Sequence, residues 1–204
     1  MDTRSLIQMP GYVYNEYLLV IAPPAEILNK IQKVRQEFYE AYQAENALWG
    51  KPHIALISFV QFEMMEERVV SRLRTIGMGY TPFKIELKDF GSFPAHTIYI
   101  NVESRLPVKN LIKALRPLQP LLKLNKDNKP HYIDTPHLAV ARKLLPWQYE
   151  KGWNEYRHKH FTGRFIADSM LLIKRKVGVQ KYQVVERFQF MNMPVATTQA
   201  ALFI

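Results

Sequence analysis

"KPHIALISFV" (residues 51–60) and "TPHLAVARKL" (135–144) spell one phrase twice: proline, histidine, aliphatic, alanine, aliphatic. Each reads as a strand, a short aliphatic run opened by a proline that has no ladder hydrogen bond to give. Side chains alternate along a strand, so His53 and Ala55 share a face with Ile57, and His137 and Ala139 share one with Ala141. With 13 prolines and 6 histidines in 204 residues, about 0.4 Pro-His pairs are expected by chance, and the chain has three. The third, Pro130-His131, stands in the polar stretch "NKDNKPHYIDT" without the aliphatic continuation and reads as a loop histidine.

Outward from these phrases the same order of elements recurs. "YLLVIAPP" (17–24) is a strand stopped by two prolines. A helix follows, with Ile27, Ile31, Val34, Phe38 and Tyr42 on its apolar face and Lys30, Lys33, Arg35 and Glu37 elsewhere. After the first Pro-His strand, "EMMEERVVSRLRTIG" predicts a helix ending at Gly77, and "FKIELKDF" and "HTIYINV" predict two strands around a turn at Gly91. "HTIYINV" then leads into a helix opened by Pro107, with Leu111, Leu115, Leu118 and Leu122 apolar and Pro117 and Pro120 breaking it. The second Pro-His strand is followed by a helix in "PWQYEKGWNEYRHKHF", whose Tyr149, Trp153, Tyr156 and His160 form a stripe, and by the strands "FIADSMLLIKRK" and "KYQVVERFQF" joined across Gly178. Both halves run strand, helix, Pro-His strand, helix, strand pair: an α+β unit duplicated within a single domain of residues 1–190, with 191–204 as a tail.

Composition narrows the partners. Apolar residues make up 48% of the chain and no apolar run reaches the roughly 18 residues of a membrane span, so a disordered or membrane-spanning class is excluded. There is no cysteine, hence no disulfide and no thiolate zinc site, and "MDTRSLIQMP" has no apolar export region, so the cytoplasm is the expected compartment. A formal charge of +10 favours polyanionic partners such as RNA or nucleotides. A metal site drawn from His131, Asp134, His137, His158 and His160 has poor spacing, since no helix or strand period converges those residues.

Two imidazoles facing each other across a cleft suit phosphodiester chemistry. One takes a proton from water or a hydroxyl while the other, protonated, gives one to the leaving oxygen, and no metal is needed. On these residues the chain resembles the two-histidine (2H) phosphoesterase superfamily, in the branch of the bacterial 2'-5' RNA ligase and cyclic phosphodiesterase proteins. "YLLVIAPPAEILNKI", "PHIALISFVQFEMMEERVVSRL", "PHLAVARKL" and "KYQVVERFQF" carry the likeness in order over most of residues 12–190. The resemblance implies a bilobal fold of antiparallel sheets flanked by helices, His53 and His137 as the catalytic pair in the cleft between lobes, and 2',3'-cyclic or 2'-5' linked nucleotide or RNA phosphates as substrates, without metal or cofactor.

One departure stands out. The family places Thr or Ser two residues after each histidine, to hydrogen-bond a phosphate oxygen; here the positions are Ala55 and Ala139. Losing one such bond costs roughly 1 to 3 kcal/mol of phosphate binding, so a binding protein descended from an enzyme stays open beside the enzyme. Candidate replacements are Arg175 and Tyr182 in the last hairpin, with Lys174, Lys176 and Lys181 around them, and Trp49 as a surface for stacking a base. Arg142 alternates to the face opposite His137 and points away unless a bulge intervenes. In the tail, Gln199, Leu202 and Phe203 have the spacing of a sliding-clamp-binding peptide. Oligomeric state is not legible.

Overall fold

The apolar run before the two prolines forms strand β1 (Tyr14–Ile21), with Tyr17, Leu19 and Ile21 turned into the core. The computed structural model describes residues 11–194, so the tail residues Gln199, Leu202 and Phe203 lie outside the described part. Pro24, extended, caps helix α1 (Ala25–Tyr42), which buries Ile27, Ile31, Phe38 and Tyr42 as its spacing requires. Both Pro-His phrases open strands: β2 (Ile54–Phe62) starts directly after His53, and β6 (His137–Arg142) starts on His137. Between them lie α2 (Glu66–Gly79), the hairpin of β3 (Phe83–Phe93) and β4 (Thr97–Val102), α3 (Arg105–Leu115), the single turn α4 (Gln119–Leu122) and the short β5 (His131–Tyr132). After β6 come α5 (Pro146–Tyr156), β7 (Thr162–Ala167), β8 (Ser169–Lys176) and β9 (Gln183–Gln189).

The strands lie in the order β7-β3-β4-β6-β2-β1-β8-β9, every neighbouring pair antiparallel, with β5 beside β2. This is a bilobal α+β fold. One lobe is β9-β8-β1-β2 and carries His53; the other is β6-β4-β3-β7 and carries His137; they meet through the pair Ile54–Leu138. The lobes are related as a duplication, yet they are not the two halves of the chain. β3 closes the first half but turns straight back onto β4, so the free edge of β1 is covered by β8 from the second half. Helices α1 and α5 pack over the His137 lobe, α2 and α3 over the His53 lobe, on the face that buries Ile54 and Leu138. Among the described residues no helix is long and apolar enough to cross a membrane.

Several local expectations change. "FIADSMLLIKRK" is not one strand: the chain breaks at Asp168, whose carbonyl accepts from the Phe190 N–H, so that β7 joins β3 and β8 joins β1. Gly91 lies inside β3, not in the turn, which falls at Ala95 with φ +68°. A Cβ at Gly91 would stand 2.6 Å from the Tyr99 ring and 2.7 Å from Asn101 Oδ1, so glycine is where β3 lets those side chains cross it. Gly77 does not end α2; it is buried where the helix meets Phe188, and a Cβ there would lie 3.1 Å from that residue. Helix α5 ends at Tyr156, so His160 leaves the predicted stripe and reaches Asp89 from an exposed position at 3.2 Å. Arg35, assigned above to the polar side of α1, is buried.

Candidate active site at the lobe junction

The Ile54–Leu138 pair sets the geometry of the site. Extending that antiparallel register by one residue each way puts His53 across from Ala139 and Ala55 across from His137. All four side chains share the face opposite the fully buried Ile54 and Leu138, and all four are half-buried. Each alanine therefore stands opposite the imidazole of the other lobe, where a larger side chain would narrow the gap between the rings.

Both histidines are oriented by the same local bond. His53 Nδ1 lies 2.8 Å from the Lys51 carbonyl and His137 Nδ1 lies 2.8 Å from the Thr135 carbonyl, two residues upstream in each case. A carbonyl only accepts, so each Nδ1 carries the proton and donates it, leaving Nε2 as the basic nitrogen. His53 Nε2 is buried and has no hydrogen-bond partner among the described residues. A buried, unpaired imidazole nitrogen costs free energy that a ligand able to meet it would recover.

The strands then do something alternation does not foresee. β2 bulges at Leu56: Val20 pairs with Ala55 and Leu19 with Ile57. β6 bulges at Val140: Tyr99 pairs with Ala139 and Ile98 with Ala141. Each bulge falls three residues after the histidine and inserts a second consecutive core residue, so Ile57 and Ala141 turn inward rather than sharing the histidine face. The next residue in each strand, Ser58 and Arg142, returns to the histidine face. The bulge that was the stated exception is present, and Arg142 does not point away.

Arg142 is a cation near both rings. Although exposed in surface area, it is crowded enough that desolvation lowers its pKa, and its charge depresses the pKa of His53, of His137 and of Arg35. Burial is the main cause of the His53 shift down to about 4, with Arg142, Arg35 and His137 adding repulsion and the Lys51 carbonyl opposing it. His137 is lowered too, first by burial and then by Arg142, against the Thr135 carbonyl. Both shifts favour the neutral ring in the unliganded protein.

The rest of the surroundings differ between lobes. Arg35 reaches from α1 to the carbonyls of Ala47, Trp49 and Gly50, the last two at 2.6 and 2.8 Å, and so braces the loop that delivers His53. His137 instead sits between aromatic rings, edge-on to Phe93 at 4.9 Å and tilted against Tyr99 at 5.0 Å, with Asn101 opposite it on β4. Of the predicted replacements, Arg175 is paired with Glu16 and lies over the Tyr182 ring at 4.7 Å, its charge already matched. Tyr182 is brought close enough to Arg142 for the two to perturb one another. Trp49 stands 53% exposed in the loop before His53, free to stack. Arg35, Phe93, Tyr99, Asn101 and Ser58 were not singled out by sequence reasoning. Among the described residues no three imidazole or carboxylate side chains are placed to hold a metal ion. An open groove of about 650 Å³ between α1, β3 and β7, lined by Glu26, Lys30, Glu86, Lys88 and Arg164, shares no residue with this site.

Solved structures share the fold. In its fold the chain is similar to TT0787 of Thermus thermophilus, with a TM-score of 0.64 at 15% identity over 86% of this chain and 98% of that one. It is likewise similar to Escherichia coli LigT, solved in complex with 3'-AMP, with a TM-score of 0.60 at 15% identity over 87% of this chain and 98% of that one. No curated protein sequence matches. The profile of the 2'-5' RNA ligase superfamily matches residues 23–179, a span that holds both Pro-His strands and more than three quarters of the chain. With the match covering both motifs and the fold following the same plan, this chain belongs to the 2'-5' RNA ligase superfamily, within the 2H phosphoesterases.

Proposed function

We propose that the protein is a metal-independent phosphoesterase acting on 2',3'-cyclic or 2'-5' linked phosphates of nucleotides or RNA, with His53 and His137 as its acid and base. The observation that carries this reading is the matched pair of rings: two imidazoles on one face of the lobe junction, each with Nδ1–H tied to a carbonyl and Nε2 left for chemistry. A neutral imidazole accepts a proton from the attacking hydroxyl or water, and a phosphate anion bound between the rings raises their proton affinity so that the second donates to the leaving oxygen. Of the two, His53 suits the base at the start of the reaction, because its burial, with the charges of Arg142 and Arg35 added, opposes its protonation. Membership of the superfamily and the 3'-AMP complex of LigT support a nucleotide as ligand.

A second reading rests on Ala55 and Ala139. A cleft without the two family hydroxyls has less to hold a diester in line, and a nucleotide-binding protein with weakened or no turnover would need only the fold. The test is a panel of 2',3'-cyclic nucleotides and 2'-5' linked dinucleotides assayed from about pH 5 to 9 with and without chelator. Turnover that ignores chelator, follows a bell in pH and is abolished by His53→Ala or by His137→Ala is expected. Inertness across the panel, with nucleotide binding retained, overturns the enzymatic reading in favour of the second.

A further inference from the structure

We infer that a second phosphate-binding surface lies outside the cleft, on the open face of the His137 lobe, where Asn101, Lys88 and Thr162 hold the strand that continues from the reacting phosphate. The inference rests on the phosphate cleft proposed above and makes the preferred ligand a polynucleotide strand rather than a free mononucleotide.

Strand register carries the argument. His137 pairs with Asn101 on β4, Asn101 with Lys88 on β3, and Lys88 with Thr162 on the edge strand β7. Directly paired residues point to the same face of a sheet, so the four side chains form one row on the face of the histidines. With strands about 4.8 Å apart, Lys88 stands about 10 Å and Thr162 about 14 Å along the sheet from His137, too far to share the phosphate held between the rings. The row opens to solvent as it leaves the cleft: His137 and Asn101 are half-buried, Lys88 and Thr162 exposed. Asn101 is laid along it by Gly91, over which its side chain crosses.

The charges around the row leave Lys88 available. Among the described residues the side chains of Asn101, Lys88 and Thr162 make no hydrogen bond or ion pair. Asp89, next to Lys88, already accepts from the Phe161 N–H and from His160. Glu26 is paired with Lys30 and Glu86 with Lys84. In the groove where the row ends, that leaves Lys88 and Arg164 against Glu103, a surplus of one cation. The His53 lobe has no counterpart. There Ala55 pairs with Val20 and Val20 with Leu171, an apolar row that offers a phosphate nothing, and Arg175 and Lys174 are bound to carboxylates.

An amide, an ammonium and a hydroxyl in line hold successive backbone phosphates without reading bases. A mononucleotide has no group to place on them, so the row acts only on a strand.

The test titrates the full chain by calorimetry with two probes that cannot cyclise: 2'-deoxyadenosine 3'-monophosphate, and an oligodeoxyadenylate about four residues long that ends in the same 3'-phosphate. The oligomer is expected to bind about 10-fold tighter at about 50 mM salt, an advantage that shrinks at about 200 mM. Lys88→Gln should cut that advantage about 3-fold or more and leave the monomer unchanged. Lys113→Gln, which alters an exposed cation on α3, should change neither. Equal affinity for the two probes, or an undiminished advantage in Lys88→Gln, overturns the second surface while the cleft stands. Oligomer binding that depends on Lys88, with no binding of the monomer, keeps the second surface and removes the cleft reading. Absence of binding by both probes at millimolar concentration overturns the two together.

Discussion

His53 and His137 are alike in what the chain does locally and unlike in much of what packs around them. Both follow a buried proline, both donate Nδ1–H to the carbonyl two residues back, and both precede a bulge at the third residue. Yet His53 also feels Arg35 from α1, beside the Arg142 charge that both rings share, whereas His137 is lodged against Phe93 and Tyr99. The lesson is that the repeated phrase orients the two rings alike, while the neighbours each lobe supplies make their surroundings differ.

The largest effect should come from removing either ring. His53→Ala and His137→Ala should each lower turnover by a factor on the order of 10² or more with the thermal transition retained. If one variant kept near-normal turnover, the pairing of the two lobes in one reaction would be broken.

Next in size is Arg35→Met, which leaves the carbonyls of Ala47, Trp49 and Gly50 without their donor. Denaturant unfolding should show a loss of about 2 kcal/mol, the cost of stranding part-buried acceptors. The His53 resonance should titrate at higher pH than in wild type while that of His137 stays in place, which sharpens the contrast between lobes. A comparable insult to the other lobe is Gly91→Ala, whose new methyl collides with Tyr99. It should cost about 1 to 3 kcal/mol and shift the His137 environment rather than that of His53, read by the same two resonances.

The pH dependence of stability has a fixed sign. His53 resists protonation in the fold down to about 4, while the unfolded chain binds the proton near 6.5. Between those values the unfolded state holds more protons, so stability is full above about pH 6.5 and falls as the pH drops toward 4. Replacing His53 with Gln should flatten that part of the curve, measured as denaturant midpoints at about pH 7 and 4.5. An unchanged slope would mean the ring is not held neutral by burial and by the charges of Arg142 and Arg35.

The smallest effects come from the two alanines. Ala139→Thr puts a hydroxyl across from His53, and Ala55→Thr puts one across from His137. Each should tighten inorganic phosphate by about 1 kcal/mol, several-fold in Kd, when measured by calorimetry. Weaker binding in both would mean that the cleft has closed around a different ligand.

Much of this was legible before any coordinates. The repeated Pro-His-aliphatic-Ala phrase and the recurring element order led to a duplicated α+β fold, because periodicity and proline placement are local properties. What escaped notice depended on partners far along the chain. Nothing local says that β8 rather than β3 covers β1, or that Arg35 turns from its helix to three carbonyls. Alternation alone leaves Arg142 on the face opposite His137, and whether a bulge reverses that depends on pairing with β4, which the sequence does not show; here "LIS" at 56–58 and "VAR" at 140–142 each put two consecutive residues into the core.

Whether the two imidazoles serve one phosphate is tested most directly by following the ring resonances of His53 and His137 by NMR while inorganic phosphate is added to the full chain. Both should shift along a single saturation curve at one phosphate per chain, and both apparent pKa values should rise in the complex. Movement of one ring alone, or of each with its own dissociation constant, would contradict a shared site.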